Sequence, residues 1–352
     1  MSTKSIAASL KKGESYLIIS PENRRYFTGF DSSDGFLFIT PDASVFLTDS
    51  RYIEAAKSSV KYCDEVLLLK KASEQIPALL SGYGISKVCT ESEKLTVAQL
   101  NYLKSFIKAE IDTAQADREI TALRRQKSSE EKAKIIAAQR IAEKAFNHIL
   151  GFIKPGVTEK DIRLELEFFM LRNGADALSF ETIAISGKNT SRPHGVPTDK
   201  KVESGDFVTM DYGALKDGYH SDMTRTVAVG SVGDKQAEVY NTVLDAQLAS
   251  IASMKQGTAC ADADKAARSI IEAAGYGGYF GHGTGHGVGI DIHEAPSVSP
   301  SSKETLRCGD VVTAEPGIYI PGEFGVRIED MLFITEDGCE NLTKCKKSLI
   351  VL

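Results

Sequence analysis

The sequence predicts a protein of the mixed α/β (α+β) class with two domains. At 352 residues, the chain is long enough for about two domains, each with its own hydrophobic core. In the first third, short apolar runs alternate with helix-like stretches, which is the rhythm of an α/β domain. In the remainder, glycine-rich strand-like blocks occur together with a faint internal repeat, which indicates a second domain of different construction.

The N-terminal domain is predicted from four apolar runs with strand character. They read SYLIIS, GFLFIT, SVFLT and ISKVCT. Three helix-like stretches lie between or after them, at residues 52–58, 72–80 and 97–108.

A change of pattern marks the end of this domain near residues 122–129. There the sequence TALRRQKSSEEKAK passes into a long, charged, amphipathic helix. Ser128 and Glu131 have the spacing of a capping box at the start of that helix. We therefore predict domains at residues 1–124 and 125–352.

The C-terminal domain contains a faint repeat with a constant offset. Each copy has a Lys-x-Gly turn, an aspartate and a terminal glycine in a helix, turn, helix context. The matching positions are Lys154, Gly156, Asp161 and Gly174 in the first copy and Lys255, Gly257, Asp262 and Gly275 in the second. Two facing half-domains would follow, but few identities support the repeat, and chance similarity is the alternative.

Composition argues against several classes of partner. A formal net charge of −6 argues against nucleic acid as the main partner. The first 14 residues lack the apolar core of a signal peptide, and no apolar run is long enough to span a bilayer. The six cysteines form no C-x-x-C pair. We expect a cytoplasmic protein with no nucleic-acid or membrane partner.

Two aspartates flank a predicted β-hairpin, with Asp211 after one strand-like run, Asp222 before another and LKDG between them. A turn centred between Lys216 and Asp217 would place the carboxylates opposite each other, with Cβ atoms ~5 Å apart. A two-residue Asp-Gly turn would shift the register by one residue per strand. If partly buried, one carboxyl would take up a proton unless divalent cations neutralise the pair. The alternative is an exposed hairpin with ordinary surface aspartates.

Two further acidic residues lie in apolar, strand-like runs. Glu315 is the only charge in VVTAEPGIYI, and a buried carboxylate needs a partner. In GVRIEDMLFI, Arg327 and Glu329 alternate, so both side chains would lie on one face of a strand. This suits a metal ligand with a cationic neighbour. The alternative is an exposed Arg–Glu pair.

Three of the six histidines, His282, His286 and His293, lie in GHGTGHGVGIDIH. The segment lacks the lysine of a phosphate-binding loop, and no glutamate follows its first histidine as in a zincin helix. Its glycines disfavour a helix, and its apolar continuation argues against a flexible linker. We predict a strand whose missing side chains let another group approach the backbone.

Together these blocks resemble the pita-bread metallopeptidases, which include aminopeptidase P, prolidase and methionine aminopeptidase. The resemblance covers nearly the whole chain, because residues 1–124 are similar to the creatinase-type N-terminal domain of the first two. It implies a C-terminal pita-bread domain with a pseudo-two-fold repeat. Its metal-ligand positions fall on Asp211, Asp222, His286, Glu315 and Glu329.

The resemblance also implies roles for other residues. His194, in TSRPHG, would contact the substrate near the scissile bond, and His293 would stabilise the tetrahedral intermediate. Glu315 would take the nucleophile's proton and pass it to the leaving amine. His282 and Arg327 are expected to bind substrate.

The ligand chemistry indicates two divalent metal ions. Four carboxylates and one imidazole, without a thiolate, favour hard ions. We expect Mn²⁺ first, then Co²⁺, with Zn²⁺ or Fe²⁺ as alternatives. The expected nucleophile is a hydroxide bridging the two ions, because a metal lowers the pKa of water from ~15.7 to about 7.

Peptides with proline in the second position are the expected substrates, because the N-terminal domain is missing from methionine aminopeptidase. In prolidase-like sequences an arginine often follows the H-E-x-P block, whereas Ser297 follows HEAP here. This departure favours an Xaa-Pro aminopeptidase. A prolidase acting on Xaa-Pro dipeptides is the alternative, and a non-catalytic pita-bread peptide-binding module is a distant one. Because the family's N-terminal domains commonly make dimer contacts, we expect a homodimer.

Overall fold

The computed structural model describes residues 3–352, which divide after Arg124 into two compact units. The helices and strands of the N-terminal unit are, in chain order, α1 (Thr3–Ala7), β1 (Glu14–Ile18), α2 (Pro21–Thr28), β2 (Phe36–Ile39), β3 (Ser44–Thr48), α3 (Ile53–Ser59), β4 (Glu65–Leu68), α4 (Ala72–Gly82), β5 (Lys87–Thr90), α5 (Val97–Lys104), β6 (Glu110–Asp112) and α6 (Gln115–Arg125), which runs to the boundary.

The strands of this unit form one six-stranded sheet in the order β4-β3-β2-β1-β5-β6. β1, β2 and β3 are antiparallel neighbours, whereas β4, β5 and β6 each join in parallel. The four predicted strands are confirmed as β1, β2, β3 and β5. β4 and β6 were not predicted, because these two edge strands keep partly exposed side chains and so lack a clear apolar run.

The first helix of the second unit, α7 (Ser129–Ile149), begins at the predicted capping box. Oγ of Ser128 accepts a hydrogen bond from N of Glu131 at 3.3 Å, and the Glu131 carboxylate accepts one from N of Ser128 at 2.9 Å. The prediction of this helix start is confirmed. Two backbone N–H groups that a helix terminus leaves unpaired are thereby satisfied.

After α7 come, in chain order, α8 (Glu159–Arg172), β7 (Ala177–Leu178), β8 (Ile183–Ser186), β9 (Phe207–Tyr212), β10 (Ala214–Lys216), β11 (Tyr219–His220), β12 (Met223–Ala228), α9 (Asp234–Ser253), α10 (Cys260–Ala273), β13 (Gly285–Gly287), β14 (Glu294–Val298), β15 (Val311–Ala314), β16 (Gly317–Ile320), β17 (Phe324–Arg327), β18 (Asp330–Ile334) and β19 (Cys339–Asn341). The strands form the sheets β11-β10-β7, β12-β9-β8, β14-β13-β15-β18-β19 and β16-β17.

Two helix pairs form separate hydrophobic cores with these sheets. α7 and α8 share a core with β9, through residues such as Phe146, Leu166 and Met210. α9 and α10 share another with β17, through residues such as Val243 and Val326. Within residues 3–352, none of the helices combines the length and the apolar character needed to cross a membrane.

The turns around α8 and α10 repeat the same backbone conformation. Gly156 and Gly257 precede these helices with φ values of 95° and 84°. Gly174 and Gly275 follow them with φ values of 102° and 85°. Left-handed glycines at four matching positions support the predicted repeat over chance similarity.

The hairpin between the two aspartates has the shorter of the two turns considered. Asp217 (φ 49°) and Gly218 (φ 74°) are both left-handed, as in a type I′ turn. Asp211 therefore pairs with Thr224, which is the register shifted by one residue per strand. Asp222 lies two residues before Thr224, so its side chain points to the same face of the sheet as that of Asp211, its diagonal neighbour.

Gly213, between β9 and β10, allows two backbone segments to touch. A Cβ atom built there would lie 1.8 Å from the carbonyl oxygen of Ser221. We expect Gly213→Ala to lower the free energy of unfolding by ~3 kcal/mol, at the upper end of overpacking costs. Urea denaturation gives this value directly. Gly278→Ala is the control, because a Cβ at Gly278 would meet nothing within 4 Å. Equal midpoints for the two variants would contradict the expectation.

Candidate metal centre and its pocket

One cavity of about 510 Å³ in the C-terminal unit is lined by every candidate site residue. These residues are His194, Asp211, Asp222, His282, His286, His293, Glu315, Arg327 and Glu329. They come from β9, β13 and β17 and from the connections next to other strands. Because both halves of the repeat contribute, the cavity exists only when the whole unit is folded.

Three carboxylates surround the imidazole of His286. Ligand-type atoms of Asp222, His286 and Glu329 all lie within 4.8 Å of one another. Nε2 of His286 is 3.6 Å from Oδ2 of Asp222 and 3.4 Å from Oε1 of Glu315. Asp222 is only 4% exposed, so the alternative of an ordinary surface aspartate is excluded for this residue.

Three carboxylate oxygens here are buried and have no hydrogen-bond partner within residues 3–352. They are Oδ1 of Asp211, Oδ1 of Asp222 and Oε1 of Glu329. An anionic oxygen removed from water without a partner is costly. A divalent cation satisfies several such oxygens at once. The donor set therefore fits a metal site.

His286 presents the ring nitrogen that a metal ligand requires. Its Nδ1 lies 3.0 Å from the carbonyl oxygen of Gly287, which can only accept a hydrogen bond, so the proton resides on Nδ1. The lone pair of Nε2 then faces Asp222 and Glu315. Burial lowers the pKa of His286, which keeps the ring neutral. This fixing of the tautomer is typical of metal-ligating histidines.

Burial raises the pKa of three carboxyl groups in the cluster. For Asp222 the rise comes from burial and then from the charge of Glu329. For Glu329 it comes from burial and then from the charges of Glu315 and Asp211. Burial also raises the pKa of Glu315 to about 7. The cluster therefore cannot be fully ionised at neutral pH unless cations neutralise it.

Arg327 contacts a different carboxylate from the one that the sequence indicated. Its Nη2 lies 2.5 Å from Oδ2 of Asp211, and its Nε donates to Oγ1 of Thr224 at 3.1 Å. Oγ1 of Thr224 donates in turn to Oε2 of Glu329 at 2.7 Å. The prediction that one strand carries both Arg327 and Glu329 is wrong. β17 ends at Arg327, and Glu329 lies in the link to β18, which belongs to another sheet. Arg327 and Glu329 are 3% and 1% exposed, which excludes the exposed-pair alternative.

Tyr319, which the sequence did not single out, joins Arg327 to His282. Nη1 of Arg327 donates to the Tyr319 hydroxyl at 2.8 Å, and this hydroxyl lies 2.9 Å from Nε2 of His282. Because a guanidinium only donates, the hydroxyl donates to His282. Burial lowers the pKa of His282 to about 4 and raises that of Tyr319 to about 12, so both are neutral at pH 7. The only sequence signal for Tyr319 is its place in the TAEPGIY block.

His194 and His293 are the exposed histidines of the cavity lining. The rings of His293 and His286 have centroids 4.2 Å apart and meet edge to face. Burial, followed by the neighbouring His286, lowers the pKa of His293. A neutral, accessible imidazole can donate a hydrogen bond to a peptide in the cavity.

The glycines of β13 allow neighbouring strands to approach the backbone that carries His286. A Cβ at Gly285 would lie 2.1 Å from the carbonyl oxygen of Thr313. A Cβ at Gly287 would lie 2.3 Å from that of Ala295. The prediction that missing side chains serve a close backbone approach is confirmed.

Comparisons with protein families match both units. The family model described as "Metallopeptidase family M24" matches residues 133–336. A second model, "Creatinase/Prolidase N-terminal domain", matches residues 9–126.

Individual proteins match over nearly their full length. The chain is 38% identical to an Xaa-Pro dipeptidase of Pyrococcus furiosus, covering 95% of this chain and 94% of that protein. Among solved structures, it is similar to an Xaa-Pro dipeptidase from Bacillus anthracis, with a TM-score of 0.95, 40% identity and coverage of 99% of both chains. It is also similar to an X-Pro aminopeptidase from Thermotoga maritima, with a TM-score of 0.90, 34% identity and coverage of 96% and 97%.

Proposed function

The chain belongs to metallopeptidase family M24, and from this premise we propose that it hydrolyses the Xaa–Pro bond of dipeptides. Membership makes it an enzyme of the metallopeptidase type, and the non-catalytic alternative is set aside. Ser297 favoured an aminopeptidase, but the Xaa-Pro dipeptidase from Bacillus anthracis is 40% identical to the chain, against 34% for the X-Pro aminopeptidase from Thermotoga maritima, and the Pyrococcus furiosus relative is also a dipeptidase. They support the prolidase alternative better than the aminopeptidase.

The observation that carries the proposal is the set of buried carboxylate oxygens without partners around the cavity. Asp211, Asp222, His286, Glu315 and Glu329 would hold two divalent ions, and their oxygen-rich donor set suits Mn²⁺ or Co²⁺. Such ions, when bound, supply Lewis acidity and lower the pKa of water.

The side chains around this centre would handle protons and charge. Glu315, with a pKa of about 7, can accept a proton from the attacking water and return it to the leaving proline nitrogen. His293 would donate to the developing oxyanion, and His194 would bind the substrate near the scissile bond. Arg327 holds one oxygen of Asp211, which fixes the orientation of that carboxylate.

A dipeptidase also needs a group that recognises the free carboxylate of its substrate. Arg327 lines the cavity but is engaged with Asp211. Arg163 of α8 lines the same cavity, and its Nε is bonded to Glu167 at 2.8 Å. Only Nε of Arg163 is engaged in that pair, whereas Nε and both Nη groups of Arg327 are bonded, so the Nη groups of Arg163 would supply the cation that Ser297 does not.

Substrate length tests the proposal. We expect kcat/KM for an Xaa-Pro dipeptide to exceed that for the matching Xaa-Pro-Xaa tripeptide at least tenfold, because a hydrogen bond to a charged group contributes about 1.5–3 kcal/mol. The two peptides are compared with Mn²⁺-loaded enzyme by following release of the N-terminal residue.

The C-terminal amide of the same dipeptide is the matched control, because it differs only in the missing carboxylate charge. It should be cleaved as poorly as the tripeptide. Equal or faster cleavage of the tripeptide would show that the enzyme is an aminopeptidase.

A further inference from the structure

We propose that Glu159 is a positioning residue that holds His194 at the cavity, an inference that rests on the proposed dipeptidase activity. His194 is exposed and lies between β8 and Thr198, after a short 3₁₀ helix at Gly187–Ser191. This segment, residues 187–197, is called the His194 loop. Pro193 and Val196 of the same loop also line the cavity, so the conformation of the loop shapes this wall of the cavity.

The Glu159 carboxylate joins the two ends of the His194 loop. Oε1 accepts hydrogen bonds from N and Oγ of Ser186, at 2.7 and 3.1 Å, and from Nδ2 of Asn189, at 2.9 Å. Oε2 accepts bonds from N and Oγ1 of Thr198, at 2.9 and 2.7 Å. One oxygen therefore holds the start of the loop, and the other holds its end.

The surroundings of Glu159 offer hydrogen-bond donors to both oxygens of its carboxylate. The side chain is fully buried, and all five donors are uncharged groups. The nearby ammonium of Lys200 pairs with Asp206 at 2.6 Å. Glu159 is also the first residue of α8, where the helix dipole favours an anion. Both oxygens of Glu159 accept hydrogen bonds at once, which a carboxamide could not do, because its NH₂ group only donates.

A contact in the middle of the loop ties it to the acidic cluster. Nη1 of Arg327 donates to the carbonyl oxygen of Pro193 at 3.2 Å, while Nη2 of the same guanidinium binds Asp211. A loop closed at its base has fewer conformations available. Glu159 and Arg327 together therefore fix the backbone on which His194 stands.

Glu159→Gln tests this role. A carboxamide keeps one acceptor oxygen, and its NH₂ group meets the donors at one end of the loop. We expect kcat/KM for an Xaa-Pro dipeptide to fall about 10- to 100-fold, as for other small displacements of a positioned group, with unchanged metal content. In a His194→Ala background, the same substitution should lower kcat/KM by less than about twofold, because the positioned residue is already gone. An equal fold-loss in both backgrounds would overturn the proposal.

Glu143→Gln is the matched control. Glu143 is another buried glutamate of this unit, 7% exposed, and it accepts a hydrogen bond from N of Lys344 outside the cavity lining. We expect this variant to lose thermal stability and to keep its kcat/KM. If Glu143→Gln lowers kcat/KM as much as Glu159→Gln does, general destabilisation explains both results and the proposal is wrong.

Hydrogen exchange separates failure of this inference from failure of the proposed function. Amide exchange in residues 187–197 should be faster in Glu159→Gln than in the wild type or in Glu143→Gln. Unchanged exchange overturns the inference even if the wild type proves inactive on dipeptides. Should Glu159→Gln fail to fold, Thr198→Val removes one donor and keeps the backbone N–H, and it should give the same changes at smaller size. Unchanged exchange in Thr198→Val then counts against the inference.

Discussion

Replacing Asp222 with asparagine is expected to abolish peptide hydrolysis and to leave a folded protein. The substitution removes a negatively charged metal ligand from a site where Asp222, His286 and Glu329 converge. We expect kcat/KM to fall at least about a thousandfold, or ~4 kcal/mol at ~1.36 kcal/mol per factor of ten. The measurement is steady-state hydrolysis of an Xaa-Pro dipeptide, with metal content determined by elemental analysis.

The same substitution should not destabilise the metal-free protein. Burial and the charge of Glu329 raise the pKa of Asp222, so an ionised Asp222 destabilises the metal-free protein. Chelator-treated Asp222→Asn should therefore melt no lower than chelator-treated wild type. Asp245→Asn, an exposed position on α9, is the control and should keep full activity. Retained activity in Asp222→Asn would remove the proposed metal-dependent mechanism.

Removal of the metal ions is expected to abolish activity and to lower the melting temperature. Ions that bind only the native state at a hundred times their Kd stabilise it by ~2.7 kcal/mol. For a unit of this size, that corresponds to a melting temperature lower by about 5–10 °C. Calorimetry before and after chelation, with the metal content verified, gives the change. An unchanged melting curve after verified removal would contradict the metal site.

The effect of metal removal should grow with pH. Because the pKa of Glu315 is raised to about 7, the metal-free native state binds more protons than the unfolded chain between pH 4.5 and pH 7. Its stability is therefore greatest below that interval and is lost as the pH rises through it. The raised pKa of Asp222 and Glu329 acts in the same direction. Added Mn²⁺ should raise the melting temperature more at pH 8 than at pH 5, and the reverse order would contradict the acidic cluster as its binding site.

The residues that line the cavity were predictable because acids and histidines in apolar or glycine-rich runs are unusual. Their contacts were not, because side-chain partners depend on which strands become neighbours. Arg327 was expected beside Glu329 and instead binds Asp211. Tyr319 lies at the centre of a hydrogen-bonded chain, yet in the sequence it is one aromatic residue in a β-strand.

The fold shows the same division between local and non-local information. The capping box of Ser128 is a local pattern, and it marked the start of α7 correctly. The hairpin register depended on whether LKDG forms a longer or a two-residue turn, which the sequence left open. The left-handed conformations of Asp217 and Gly218 decide it in favour of the shorter turn.

The crowding around β13 limits how this enzyme can be re-engineered. Alanine at Gly285 or Gly287 would collide with the carbonyl groups of Thr313 or Ala295, so the wall beside His286 has no room for new side chains. Val196, in contrast, lines the same cavity and is 71% exposed. Directed evolution of substrate preference should therefore randomise such outer positions and leave the inner glycines untouched.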